Sequence, residues 1–380
     1  YIVYFALIIG IDAFLAIPFA RLRQQNKALK FAIIKIINVL SNIGFNFFFL
    51  LICPKIFASN PDSAILGFYD PDFGVGYAFI SNLLATIITL VLLLPDILSA
   101  SFRISTPLLR RMLHYAFPLL IVGIAGMVNE VSDKLLFKFL ITVPAGITES
   151  KEYILSQLGI YGANYKLAVL MTLFIQMFRY AAEPFFFAHA SAKDSKQLYA
   201  DVMKYFVIFC LLIFLLVTLY LDIFKYFIGK DFREGLHIVP IVLMANLFLG
   251  IFFNLSVWYK VNDLTRFGAY IAIVGASITI FLNIVLVPVI GYTGAAWAHF
   301  FCYLVMVFLS FLLGRKYYPV PYSFKRIGIY FTLAMAIFFI DRVIQWPEKN
   351  IQLIFSTLMF AAFLIIVFLM EKSVFRKSFQ

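Results

Sequence analysis

Residues 205–221 read YFVIFCLLIFLLVTLYL, and residues 83–98 read LLATIITLVLLLPDIL. Runs this long and this apolar set the solvent before they set the fold, because a helix needs roughly 20 such residues to cross a bilayer's hydrocarbon core. Lipid offers no hydrogen bonds to the backbone, so a spanning chain must be a helix or part of a closed barrel. Strand-length alternating segments are missing, which leaves a helical bundle. The rest of the chain agrees: only 13% of its residues are charged, against about 25% in a soluble domain, and mean hydropathy is +0.97.

Eleven candidate spans follow from the apolar runs, near 2–20, 29–53, 75–97, 114–142, 159–182, 203–228, 234–258, 267–289, 292–314, 324–342 and 350–371. Lys and Arg gather on the cytoplasmic side of spanning helices. Here the side reached after every odd span carries most of them, including Arg21, Arg23, Arg103, Arg110, Arg111, Lys193, Lys204, Lys260, Arg315, Lys325 and Lys377. The opposite side carries Lys55, Lys151, Lys230, Arg233, Arg342 and Lys349. This bias places the C-terminus in the cytoplasm and explains the net charge of +12 as a topology signal, with no nucleic-acid partner implied. An odd span count with the C-terminus inside also leads to the expectation that a preceding part of the protein, holding an odd number of spans, is not in this chain. Cys53, Cys210 and Cys302 lie in or at the ends of spans, where small apolar packing is their default. Their spacing suggests neither a metal site nor a disulfide framework.

An internal repeat is visible. Lys30 and Phe31, then Asn46, Pro54, Gly74 and Gly76 are echoed by Arg266 and Phe267, then Asn283, Pro288, Gly291 and Gly294. The copies lie six spans apart in the same orientation, which implies two six-helix lobes related by an axis along the membrane normal. On this reading residues 1–97 are the last three helices of a first lobe and 98–113 a cytoplasmic linker. Residues 114–314 are then a complete second lobe, and 315–380 two additional helices with a cytoplasmic tail.

The segments SDKLLFKFL, LGIYGANYKLAVL and GYTGAAWA, in a plan of two lobes plus two helices, resemble the polysaccharide-transporter branch, the Wzx-like flippases, of the multidrug/oligosaccharidyl-lipid/polysaccharide exporter superfamily. The resemblance implies an all-α polytopic transporter of the bacterial inner membrane. It would flip undecaprenyl-diphosphate-linked oligosaccharide, an O-antigen or capsule repeat unit, to the periplasmic leaflet by alternating access, with H+ or Na+ as the coupling ion. Its partners would be the lipid-linked oligosaccharide, membrane lipids and other polysaccharide-assembly proteins, and it needs no cofactor. The chain departs from the pattern in lacking the first three helices, in Asn164 where the pattern has Ala, and in a long loop, TVPAGITESKEYILSQ.

Charged residues inside spans cost about 2.5–3.5 kcal/mol each on insertion scales, so they should face protein or water. Glu130, Lys134 and Lys138 repeat at helical spacing along one face, with Asp133 beside it. One reading is an internal ion pair in which Glu130 and Asp133 neutralise Lys134 while Lys138 snorkels to the headgroups. The other is a path for a diphosphate, which needs fixed cations to replace its lost hydration. Lys134 and Lys166 are the best candidates for that role, with Lys138 and Arg179 as further cations, and Glu130, Asp133 and Glu183 as ion-coupling carboxylates. Arg179 and Glu183, four residues apart ahead of Pro184, also read as a gate or capping pair. Asp222 and Lys225 read as interfacial, and His299 as a packing residue. A membrane-embedded polymerase or ligase would need a catalytic constellation on a sizeable loop. The longest outer loop offers only Lys55, Asp62, Asp70 and Asp72 as charges and no His. A peptidoglycan-precursor flippase shares the same plan, whereas a multidrug exporter would suit twelve spans and an acidic cavity.

Overall fold

The computed structural model describes residues 1–59, 69–99, 105–144, 146, 150–192, 194–344 and 346–378. Asp62, Arg103 and Lys193, and part of the linker and of the long loop named above, lie outside the described residues. Among the described residues the structure is all helix and turn. It divides into two compact units, Tyr1–Ser105 and Thr106–Gln380.

The first unit holds α1 (Ile2–Gln24), α2 (Ala28–Phe47), α3 (Cys53–Ser59) and α4 (Gly76–Leu98). A wider helical turn, Phe48–Ile52, joins α2 to α3 without interrupting the rod. Leu15, Phe19, Leu22, Ile34 and Leu93 form its core. Lys35 lays its ammonium 4.4 Å from the Phe19 ring. Lys30 pairs with Asp96 at 2.6 Å.

The second unit holds α5 (Thr106–Leu140), α6 (Ser150–Leu167), α7 (Val169–Ala188), α8 (Ser195–Leu219), α9 (Leu221–Phe224), α10 (Val239–Leu255), α11 (Val257–Val261), α12 (Thr265–Ile290), α13 (Tyr292–Tyr317), α14 (Phe324–Val343) and α15 (Lys349–Ser378). Two tight turns, Lys225–Phe227 and Lys230–Ile238, lead from α9 to α10. The most apolar stretches of α8 and of the segment containing α10 are 67% and 61% buried. A helix that is hydrophobic all round belongs at the centre of a bundle, and these two are the axis of this one. Gly291 closes the turn between α12 and α13 with φ of +57°, a left-handed conformation that glycine adopts without a Cβ penalty.

Several elements differ from the apolar pattern. The expected span at 159–182 begins earlier, at Ser150, inside the supposed loop, and is broken at Ala168 into α6 and α7, bent by 52°. The expected span at 203–228 ends at Leu219, so Lys225 sits in a turn, paired with Asp222. Residues 106–113, expected as linker, are helical, and α5 runs 35 residues, about 52 Å at 1.5 Å per residue. That is longer than a hydrocarbon core of about 30 Å, so its basic first turns, with Arg110 and Arg111, project beyond it.

Among the described residues nine helices are long and apolar enough to cross a membrane, and the α6–α7 pair makes a tenth. The chain is thus a multi-pass membrane protein. The expected eleventh span is α14, a 20-residue helix that falls outside this count because Lys325, Arg326, Asp341 and Arg342 crowd its two ends.

Both ends of the α14–α15 pair are tied by polar groups. Glu371 is 1% exposed and accepts four hydrogen bonds. Lys204 Nζ (2.7 Å) and Tyr205 OH (3.2 Å) reach one oxygen; Arg326 Nη1 (3.1 Å) and Tyr330 OH (2.7 Å) reach the other. A buried carboxylate persists as a charge only with such complete pairing. At the far end Asp341 Oδ1 accepts from Ser356 Oγ (2.6 Å) and Gln352 Nε2 (3.0 Å).

Candidate functional site

Three helices of the second unit bring polar side chains to one buried point. The helical repeat of α5 places Asn129 and Asp133 one turn apart on the face that packs inward, and both are at most 1% exposed. From α6 comes Tyr161 and from α13 His299, also buried. Tyr161 donates its hydroxyl to Asp133 Oδ2 at 2.5 Å. His299 Nδ1 lies 3.5 Å from the same oxygen and 3.4 Å from the Tyr161 hydroxyl. His299 Nε2 lies 2.5 Å from the Asn129 carbonyl oxygen, so Nε2 carries a proton and donates.

That assignment leaves Nδ1 facing a carboxylate. An ionised Asp133 and a neutral His299 would set two acceptors against each other with one tyrosine hydroxyl between them. Asn129 Oδ1, Ser132 Oγ and Asn283 Oδ1 are buried without a hydrogen-bond partner, each an oxygen that a water or a small cation would satisfy at a gain of about 1–3 kcal/mol. No group of three or more His, Cys, Asp or Glu side chains among the described residues is arranged to hold a metal ion.

Lys134 stands on the rim of this cluster. Its backbone N–H donates to Asp133 Oδ1 at 2.8 Å, and its ammonium lies 4.7 Å from the Tyr165 ring centroid. Tyr161, Tyr165, His299 and Tyr303 form a continuous run of ring contacts, with centroids 5.6 to 6.2 Å apart. Lys134 is in no ion pair among the described residues. Glu130 is exposed and likewise forms none, while Asp133 turns to Tyr161 and His299. Lys138 is exposed, 5.8 Å from the Phe139 ring. Lys166 is exposed on the last turn of α6.

Asn164, the departure from the family pattern, is buried and structural. Its amide donates to the carbonyls of Ile160 (2.8 Å) and Phe232 (2.7 Å), tying α6 to the Lys230–Ile238 turn. Gly235 makes room for it: a Cβ there would lie 2.6 Å from the Ile160 side chain and would overlap the Asn164 amide.

Arg179 and Glu183 take separate partners. Glu183 pairs with Lys260 at 2.8 Å, and the Arg179 guanidinium stacks 3.9 Å from the Phe253 ring. The cavity they line is about 20 Å³, near the 10–15 Å³ that admits one water. These residues join α7 to α10 and α11 and leave no room for a substrate.

Sequence reasoning took His299 for packing and did not single out Tyr161, Asn129 or Ser132. The available signal was the accumulation of Asn, Ser, His and Tyr in segments otherwise apolar.

No protein-family model matches the chain, and no curated protein matches its sequence. A solved structure matches in shape: the lipid II flippase MurJ in an inward closed conformation, with TM-score 0.54 and 16% identity, covering 91% of this chain and 69% of that one. The chain has a MurJ-like fold. At this identity the likeness is one of fold, and it extends over almost the whole chain.

Proposed function

We propose that the protein flips a polyprenyl-diphosphate-linked glycan across the bacterial inner membrane by alternating access, with its C-terminus cytoplasmic. The observation that carries this reading is the MurJ-like fold, shared over 91% of the chain. The segments SDKLLFKFL, LGIYGANYKLAVL and GYTGAAWA favour an oligosaccharide repeat unit as the glycan. A lipid-linked peptidoglycan precursor is the second reading, favoured by the substrate in the name of the structural neighbour.

In this mechanism two six-helix lobes, related by an axis along the membrane normal and followed by two further helices, rock against each other around a central cavity. Lys134 and Lys166 offer the diphosphate fixed positive charge, with Lys138 as a secondary cation; Arg179, stacked on Phe253 beside a cavity of about 20 Å³, stays outside this path. Lys134 is suited to the task because no carboxylate holds it in the structure described. Asp133, with Tyr161 and His299, exchanges a proton or sodium ion as the lobes move, and Glu130 and Glu183 are further carboxylates for that step.

The test is complementation by the full-length protein of two strains, one lacking its O-unit flippase and one depleted of its lipid II flippase. Rescue of the first supports the oligosaccharide reading; rescue of the second alone shifts the substrate to the peptidoglycan precursor. Rescue of neither, with the protein present in the membrane, overturns the proposal.

A further inference from the structure

A second polar site lies away from the Asp133 cluster, where the end of α8 and the turns after it meet the α14–α15 connection. The cavity there is about 510 Å³, within the roughly 300–1,000 Å³ of small-molecule pockets. Its lining carries both signs of charge: Asp222, Lys225, Asp341, Arg342 and Lys349. Asp222 and Lys225 neutralise each other. Arg342 and Lys349 are exposed and in no ion pair among the described residues. Asp341 Oδ1 is held by Ser356 and Gln352, while no described residue donates to its other oxygen. The cavity thus offers two cations outside any ion pair among the described residues, one of them, Arg342, 5.6 Å from the Phe338 ring, and one open acceptor on a fixed carboxylate.

Its border is apolar and aromatic. Ile223 and Tyr226 in the lining are exposed, and Trp346, also in the lining, is held by a backbone hydrogen bond to Gln352 Oε1 at 3.0 Å. Tyr and Trp at the ends of spanning helices mark the level of lipid headgroups. A headgroup there would place its phosphate on Arg342 and Lys349 and its first carbons along the apolar border. The free oxygen of Asp341 calls for a donor on the same ligand.

We propose that this cavity binds a zwitterionic aminophospholipid, whose phosphate meets Arg342 and Lys349 and whose primary ammonium donates to Asp341. A choline headgroup has no N–H to give, a glycerol headgroup offers the carboxylate only neutral hydroxyls in place of an ammonium, and free phosphate leaves the apolar border unused. The proposal goes beyond the transport reading and does not depend on it.

The experiment measures phospholipid binding to the purified full-length protein by native mass spectrometry, with ethanolamine, choline and glycerol phospholipids of matched acyl chains, and with inorganic phosphate as competitor. One charge-assisted hydrogen bond corresponds to about tenfold in affinity, so the ethanolamine lipid should bind about tenfold tighter than the choline lipid. Asp341→Asn should erase that preference. Arg342→Gln with Lys349→Gln should weaken binding of all three lipids, and the control Lys230→Gln should change nothing. Equal binding of ethanolamine and choline lipids by the unmodified protein overturns the proposal, and that comparison needs no substitution that could unfold it. Tighter binding of the glycerol lipid, or displacement by inorganic phosphate at similar concentration, also overturns it.

Discussion

Lys134 is a cation that reaches an aromatic ring and no carboxylate, and Lys166 is exposed at the end of α6. If they receive the diphosphate, Lys134→Ala and Lys166→Ala will each abolish glycan export while the amount of protein in the membrane stays normal. Lys134→Arg will keep part of the activity, since it preserves charge but changes its geometry, and Lys138→Ala will be mild. Normal export from the Lys134→Ala, Lys166→Ala double variant would send the anion path elsewhere. Tyr161→Phe removes the hydroxyl that Asp133 accepts, and should lower stability by about 1.5–3 kcal/mol, the usual worth of a hydrogen bond to a charged group. Thermal unfolding in detergent measures this, and an unchanged midpoint would mean that Asp133 needs no donor from α6. At this scale Asp133 and Lys134 were legible because charge in an apolar run announces itself. Tyr161 was not, since it lies 28 residues from Asp133, and only the packing of α6 on α5 joins them. His299 is buried and ring-stacked as a packing residue would be, but its polar partners, Asn129 and Asp133, belong to another helix and were not legible.

Among the elements, the α14–α15 pair gives the clearest energetic case. Lys204, counted among the basic residues of the cytoplasmic side, is 2% exposed. Glu371→Ala would leave Arg326 without its carboxylate and Lys204 with only Asp201 at 3.7 Å, and breaking a buried pair by removing one partner costs about 3–5 kcal/mol. The expected result is a large drop in unfolding temperature, with early proteolysis of α15. A variant as stable as the parent would show that the cluster is paired through water. Gly235→Ala should also destabilise, by about 1–3 kcal/mol as overpacking, and a smaller residue in place of Asn164 should relieve it. The spans themselves were readable from apolar length alone, because lipid forces every backbone group to bond within its own segment. The break at Ala168 was not, since no proline or glycine marks it. Nor was the fourfold pairing of Glu371, whose donors come from two other helices.

For the whole molecule the testable quantity is sidedness. Lys325→Cys and Lys349→Cys, each in a background free of Cys53, Cys210 and Cys302, should label on opposite faces with an impermeant thiol reagent. Position 349 should react in intact cells and position 325 only after opening them. The reverse pattern would overturn the orientation drawn from the Lys and Arg bias. The two-lobe plan was inferred from a faint repeat, and neither unit by itself speaks to how the lobes move. The length of α5 does have a mechanical meaning. It is an unbroken rod of 35 residues whose one internal weak point is Pro118, and Asp133 lies fifteen residues beyond it, an arm of about 22 Å. A tilt of about 10° at a proline hinge carries the far end of such an arm about 4 Å. The contact between Tyr161 and Asp133 is 2.5 Å long and cannot stretch by that amount. It is either made or severed, so a hinge at Pro118 would make α5 a lever that turns a graded movement at its basic end into an on-or-off event at its buried one.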